Sequence, residues 1–470
     1  RDCLLSRGLG DVYKRQGTGL ALTDAGVNLG LSSAIAQEKI GISNYANSAL
    51  LVVGDTWHLK SVSARYYWEG NGQAYGDPRW SLTDDDTSAL VSLPTDTSNV
   101  ILVYSNAGEK ASPCRMTLDD NMTVAGIEVT GGYYSFTTGG NPLLTCTGNL
   151  VLGEGGHLSN SLRMAVGNVT MAANSSLSIN SALTIAEGGK VTVTGAGAVI
   201  NQGKGGQPQS LSTSALEITG NGSSLSIIGL KDSKSATTLG SVTLGDNTTL
   251  TLKAGGTNIV ATATSLSLGN NAAIVLEENQ VLDLTAIEDM DDEDTGKFSK
   301  LLNATSGAGT LKVSMPGEFR MKTDTAVNTN LEDAQLKINS YGTGGKTLTV
   351  MENGSITLTG RLILQSTAKA LVAGGRVTAD KIELGHSDAG NPGHIEMTGG
   401  SITTGGFVHY NAGNTVTMSG GTLDITSTTG ISNGIKVTIT GGTLVASDAS
   451  GWGMTGASVG GAAVSADSTG

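Results

Sequence analysis

From about Thr117 onward the chain repeats one short pattern: an apolar-polar-apolar run, a turn of Gly, Asn, Ser or Asp, and a second alternating run. Alternation at every second residue is the period of a β-strand, whose successive side chains fall on opposite faces. In "ALEI" from Ala215, Leu216 and Ile218 point one way and Glu217 the other. In "VTL", "LSL" and "VTI" the middle residue is Thr or Ser, which suits a wetted face between two buried neighbours. Three late copies align well: "HIEMTGGSITT" from His394, "TVTMSGGTLDI" from Thr415 and "KVTITGGTLVA" from Lys436. They place Ile395, Val416 and Val437 in equivalent positions, 21 residues apart. Val416 is therefore predicted to be buried and Thr417 wet. Looser copies begin at 148, 167, 182, 215, 241 and 265, and the steps from Leu216 to Val242 to Leu266 are 26 and 24 residues.

Periods of this length point to a solenoid. One short strand cannot bury its apolar face alone, whereas stacked coils set each strand above its predecessor and build a continuous aliphatic column. Gly and Asn at corners supply positive φ at little steric cost. The corners at Gly399, Gly420 and Gly441 are predicted to use it. Aromatic residues make up only 4% of the chain, as a narrow Val/Leu/Ile interior requires. A barrel or sandwich also has many short strands, but does not naturally give a 21-residue equivalence. The pattern predicts an all-β chain, a right-handed parallel β-helix (β-solenoid), the hand following the general preference of parallel crossovers.

This β-helix spans 115–450. "IEDMDDEDTGKFSKLL" at 287–302 interrupts it as a short helix or a side loop, an excursion from the coil. Upstream the composition changes. Trp57, Trp68 and Trp80 and several Tyr lie before residue 110, which predicts a β-rich segment at 17–66 and a Trp/Tyr-containing lead-in and capping module at 67–114. A Gly/Ser/Ala-rich tail follows at 451–470. Residues 1–16 stand apart, because "DVYKRQ" at Asp11–Gln16 back-translates into a sequence resembling the mosaic end of a transposase used to prepare sequencing libraries. They read as translated adapter on a metagenomic fragment and are set aside before fold reasoning.

The formal charge is −13, and without residues 1–16 it is −15, from 24 basic and 39 acidic residues. Such a surface repels phosphates and has no basic stripe, so nucleic acid is excluded as a partner. The apolar runs, such as "ALLVV" at 49–53, fall far short of the roughly 18 residues of a spanning helix. Setting Cys3 aside with the adapter leaves Cys114 and Cys146. Two readings fit them: a disulfide made in an oxidising compartment, or two thiols buried as small hydrophobes.

Candidate chemistry is sparse. "GASVG" at 456–460 fits G-x-S-x-G around Ser458, yet no His follows it in the chain, as a nucleophile elbow would need. His58, His157, His386, His394 and His409 show no i, i+4 pair, and a zinc site needs three or four convergent ligands. Asp84 to Asp86 and the run Glu288, Asp289, Asp291, Asp292, Glu293, Asp294 are consecutive acids in loops. Carboxylates working on a coil surface would sit one coil apart with Lys or Arg beside them. The second run also lacks the spacing of a calcium loop and reads as solvated charge. Thr-x-Thr pairs begin at Thr192, Thr249, Thr347, Thr357, Thr415 and Thr438 at irregular intervals, so no regular threonine face is expected. No residue is assigned as catalytic, cofactor-binding or metal-binding.

Within the lead-in stretch, Trp68-x-Gly70, Trp80-Ser81, Pro94 and the run Val100-x-Leu102 follow in order, and "MTLDDNMTVAGIEVTGGYYSF" supplies alternating strands next. This arrangement resembles the segment that leads into autotransporter-associated β-strand repeats of bacterial cell-surface proteins. With the Gly-rich coils the resemblance covers most of 67–450. It implies a β-helical passenger at the cell surface or secreted, and a C-terminal translocating barrel as membrane anchor, which this sequence does not include. The expected function is a non-enzymatic stalk or adhesin-like protein that meets glycans or surface proteins. A β-helical polysaccharide lyase or glycoside hydrolase is the alternative, to be recognised by carboxylates and a base converging on one cleft. A calcium-stabilised exoprotein is the third.

Overall fold

A computed structural model describes residues 48–466 apart from 54–55, 62–63, 70–72, 75–79, 82–89, 106–113, 204–208, 231–235, 288–295, 315–317, 341–343, 386–390, 433, 447–457 and 460–462. It is a parallel β-solenoid of about 13 turns, and the described residues are 62% strand with one helix among them. Each regular coil contributes three short strands to three parallel ladders, one more than the sequence pattern exposes. Arg361–Gln365 belongs to the first ladder, while Lys369–Ala379 bends through the second and the third. The strand that escapes a periodicity search differs along the tube: in early coils it is a short third-ladder strand such as Val281–Asp283, and in later coils the first-ladder strand, which shrinks to a few residues such as Phe407 and Ile431.

The register is the one the alternation requires. In the first ladder Leu102, Ile127, Leu150, Val169, Val191, Leu216 and Val242 stack rung on rung, all buried. In the second, Ile395, Val416 and Val437 align as the 21-residue spacing predicts. In the third, Leu311, Leu331, Ile356, Val377, Ile402, Leu423 and Leu444 form another buried column. Each such side chain contributes about 1.5–3 kcal/mol by leaving water, and ladder hydrogen bonds satisfy the backbone between coils. Val416 is buried, and Thr417 and Glu217 lie on the outer side.

The "TGG" corners differ from expectation by one residue. Positive φ belongs to the second glycine of each pair, Gly400 (71°), Gly421 (85°) and Gly442 (97°). The first glycine of two pairs is required for another reason. A Cβ on Gly420 would lie 2.6 Å from the Thr398 carbonyl oxygen, and one on Gly441 2.5 Å from that of Ser419. Coil-to-coil approach thus selects the first glycine and backbone conformation the second.

The N-terminal end of the tube is closed by aromatics. Trp68 pairs antiparallel with Trp80, their rings 4.8 Å apart and edge-on. Tyr104 packs against both and against Tyr134 and Phe136 below. Large rings cover an apolar end that aliphatic rungs would leave open to water. Ser48–Val53 and Thr56–Ser61 form a separate antiparallel hairpin. The two cysteines are not joined by a disulfide and lie on different ladders: Cys114 pairs with Tyr134 in the second, Cys146 lies between Val124 and Val166 in the third. Burial pushes the Cys146 thiol up to about 11.

Of the stretch 287–302, residues 288–295 lie outside the described residues. From Lys297 the chain is helical to Ala304, with Phe298, Leu301 and Leu302 in the core. The helix follows the third-ladder strand Val281–Asp283 and precedes Thr305–Lys312, which enters the second ladder. It therefore occupies the first-ladder position of its coil. Below it that ladder ends at Leu268, whose carbonyl accepts a 2.5 Å hydrogen bond from Lys300 Nζ. Above it the ladder resumes at Phe319–Met321, and the Phe298 and Phe319 rings meet edge-on at 4.8 Å. A helix about 10 Å wide fills about two rung spacings.

Candidate functional site

With the aliphatic positions turned inward, chemistry is confined to the outer sides of the strands and to the corners. Several charged groups there pair with another coil. Arg65 grips Glu128 with two bonds of 2.5 and 2.8 Å, and Lys190–Glu217 (2.8 Å), Arg361–Glu383 (2.9 Å), Lys369–Glu396 (3.0 Å) and Lys312–Glu332 (3.4 Å) bridge other coils. Partly exposed pairs of this kind add little stability each, and they mark coil register more than they hold the fold. Amides do the same at one corner, where Asn271 Nδ2 donates to Asn247 Oδ1 (3.0 Å) and Asn247 Nδ2 to Asn221 Oδ1 (2.7 Å).

The residues singled out in the sequence do not come together. Asp84 to Asp86, Glu288 to Asp294 and His386 lie outside the described residues. His58 belongs to the strand Thr56–Ser61, in the hairpin. His157 and His394 each pair, through Nδ1, with a hydroxyl one coil on, Ser176 (2.8 Å) and Thr415 (2.9 Å). Burial, with help from the Lys369 charge, holds His394 below the usual imidazole range. His409 pairs with Leu384 in the first ladder. Among the described residues no three His, Cys, Asp or Glu side chains are placed to hold a metal. Ser458 lies in a second-ladder strand, paired with Thr438, and not on a strand-to-helix turn. The Thr-x-Thr pairs are spread over all three ladders, Thr192 on the first, Thr249, Thr347, Thr415 and Thr438 on the second and Thr357 on the third.

Glu318, beside the first ladder, and Glu383, in it, also meet bases, and nothing in the sequence pattern marked them. Glu318 contacts Lys337 (3.2 Å) and Arg320 (3.4 Å) and accepts from Gln365 Nε2. Burial pushes its carboxyl up, but hydrogen bonds from Asn339, Lys337 and Arg320 and the charge of Lys337 outweigh this and hold it below the ordinary range. Glu383, only 3% exposed, is bound by Arg361. A carboxylate held ionised by its bases makes a poor proton donor at neutral pH, so the Glu318 cluster is suited to ion pairing.

Among the described residues, a concave feature lies at the corner from third to first ladder. Between Leu358 and Arg361 stand two residues, Thr359 and Gly360; one coil on, Asp380 alone separates Ala379 from Lys381. In the next coil Gly405 alone separates Thr404 from Gly406, and in the fourth, four residues (426–429) separate Ile425 from Gly430. Two tight corners between two wider ones form a notch of about 310 Å³. Thr426 Oγ1 donates to the Thr404 carbonyl (3.3 Å) and Ser427 Oγ to that of Gly405, fixing the upper lip. Gly405 is obligatory, because a Cβ there would lie 2.5 Å from the Asp380 carbonyl oxygen. The residues sit at strand ends, where alternation carries no signal; unequal spacings between repeats were the sequence trace they left.

No protein family, no curated protein and no solved structure matches this chain.

Proposed function

We propose that the chain is a non-enzymatic bacterial β-solenoid, displayed at the cell surface or secreted in the manner of an autotransporter passenger, that acts as a stalk and adhesin-like interaction surface. The observation that carries this reading is the division of labour across each strand: an interior of mainly aliphatic rungs, and outer groups that tie coil to coil. At about 4.8 Å per rung, about 13 turns give a rod roughly 60 Å long. Its hydroxyl- and amide-bearing sides are suited to glycans or surface proteins, and its acidity disfavours polyanions.

The test is retention under flow. Beads coated with the full chain should be held on cells or on glycan-coated glass more strongly than beads carrying an unrelated acidic β-solenoid. Equal retention on every surface overturns the reading. Incubation with plant and microbial polysaccharides checks the other half: release of reducing ends or unsaturated uronates, lost on Glu318→Gln, would make the protein an enzyme.

A further inference from the structure

We propose that the notch between the third and first ladders is a binding site for one or two units of a neutral glycan. This rests on the interaction-surface reading and assigns it a place and a ligand class.

The lining has the mixed character that a sugar ring requires. Thr378 and Thr403 stand on adjacent rungs, offering methyl groups to the C–H face of a pyranose and hydroxyls as paired donors and acceptors, while Leu358 and Ala379 behind them are buried in the core. Asp380, exposed at the floor, accepts two hydroxyls at once, and Lys381 beside it donates. The volume of about 310 Å³ stands at the lower end of ligand pockets, about 300–1,000 Å³, which excludes a bulky cofactor. An anionic sugar would meet the Asp380 carboxylate on a chain of formal charge −13, so a neutral one is favoured.

The shape is also set before a ligand arrives. Gly405 packs so closely against the Asp380 carbonyl that no side chain fits there, and the upper lip is tied down through Thr426 and Ser427. Preorganisation of this kind removes part of the ordering cost of binding.

The experiment prints neutral oligosaccharides (mannan, galactan, glucan and N-acetylglucosamine oligomers) on glass and applies fluorescent full-length chain. Asp380→Ala removes the acceptor and Thr403→Trp fills the notch, both on exposed or half-exposed positions. Thr243→Trp, on the exposed side of a distant first-ladder strand, is the control. The expected result is binding to at least one neutral glycan, reduced tenfold or more by Asp380→Ala and by Thr403→Trp and retained by Thr243→Trp, with unchanged melting in all three. Binding that both notch variants keep overturns the notch and leaves the interaction reading standing. No binding to any neutral glycan also overturns the notch, and bead retention on cells then decides whether the wider reading falls with it.

Discussion

At the scale of single residues, two different constraints ask for glycine in one dipeptide. Gly421 combines φ of 85° with a Cβ position 2.6 Å from the Gly400 carbonyl oxygen. Gly399 has neither problem, its nearest neighbour being Gly374 N at 3.4 Å. Gly421→Ala is expected to cost at least about 1–3 kcal/mol through left-handed strain, while Gly399→Ala stays within about 0.5 kcal/mol. Urea midpoints by circular dichroism compare the two, and equal midpoints would remove the corner assignment. What the sequence made legible here was inside against outside: Leu216, Ile218 and Val416 are buried as their alternation requires. Which glycine of a pair turns the chain was not legible, since both are Gly and φ leaves no trace in composition. Cys114 and Cys146 were equally mute, because spacing in sequence does not say which ladder a residue joins.

At the scale of elements, the helix Lys297–Ala304 departs from the coil rule within the tube. Its apolar residues, Phe298, Leu301 and Leu302, are spaced at three and four, a stripe too short to outweigh the acidic run before it in a sequence reading. It stabilises both broken ends of the first ladder, through Phe319 above and Leu268 below. Phe298→Ala is expected to cost about 3–5 kcal/mol as a cavity in a buried site. Hydrogen exchange should quicken at Phe319–Met321 and at Val260–Leu268 and remain slow near Val169 and Val191. Uniform acceleration along the chain would show that the helix is not a local keystone. Strands with two-residue alternation were legible; the shortest strand of a coil, such as Val281–Asp283 on the third ladder or the stretch at Ile431 on the first, was not, because two or three residues cannot display a period.

At the scale of the molecule, each coil contacts chiefly its neighbours, so stability is a sum of coil and interface contributions. A lesion should therefore unfold a neighbourhood. Val416→Asp buries an unpaired carboxylate between Ile395 and Val437, which is strongly destabilising, whereas Thr417→Asp places it outside. In the first variant amides from 394 to 439 should lose protection while the coils of Leu102 to Val242 keep theirs. The opposite ranking of the two variants would place the register one residue off. The notch belongs to this scale as well, which is why no motif announced it: four corners, each unremarkable alone, make it by differing in length.

That unevenness has a consequence for how such a molecule changes over generations. One corner holds four residues where the coils beneath hold one, and the buried columns on either side, Leu423 over Ile402 and Ile431 over Phe407, stay aligned. Insertions and deletions at corners are thus absorbed without displacing the interior. A lineage can raise or lower relief on the rod one corner at a time, opening and closing recesses for new ligands while the scaffold is inherited unchanged.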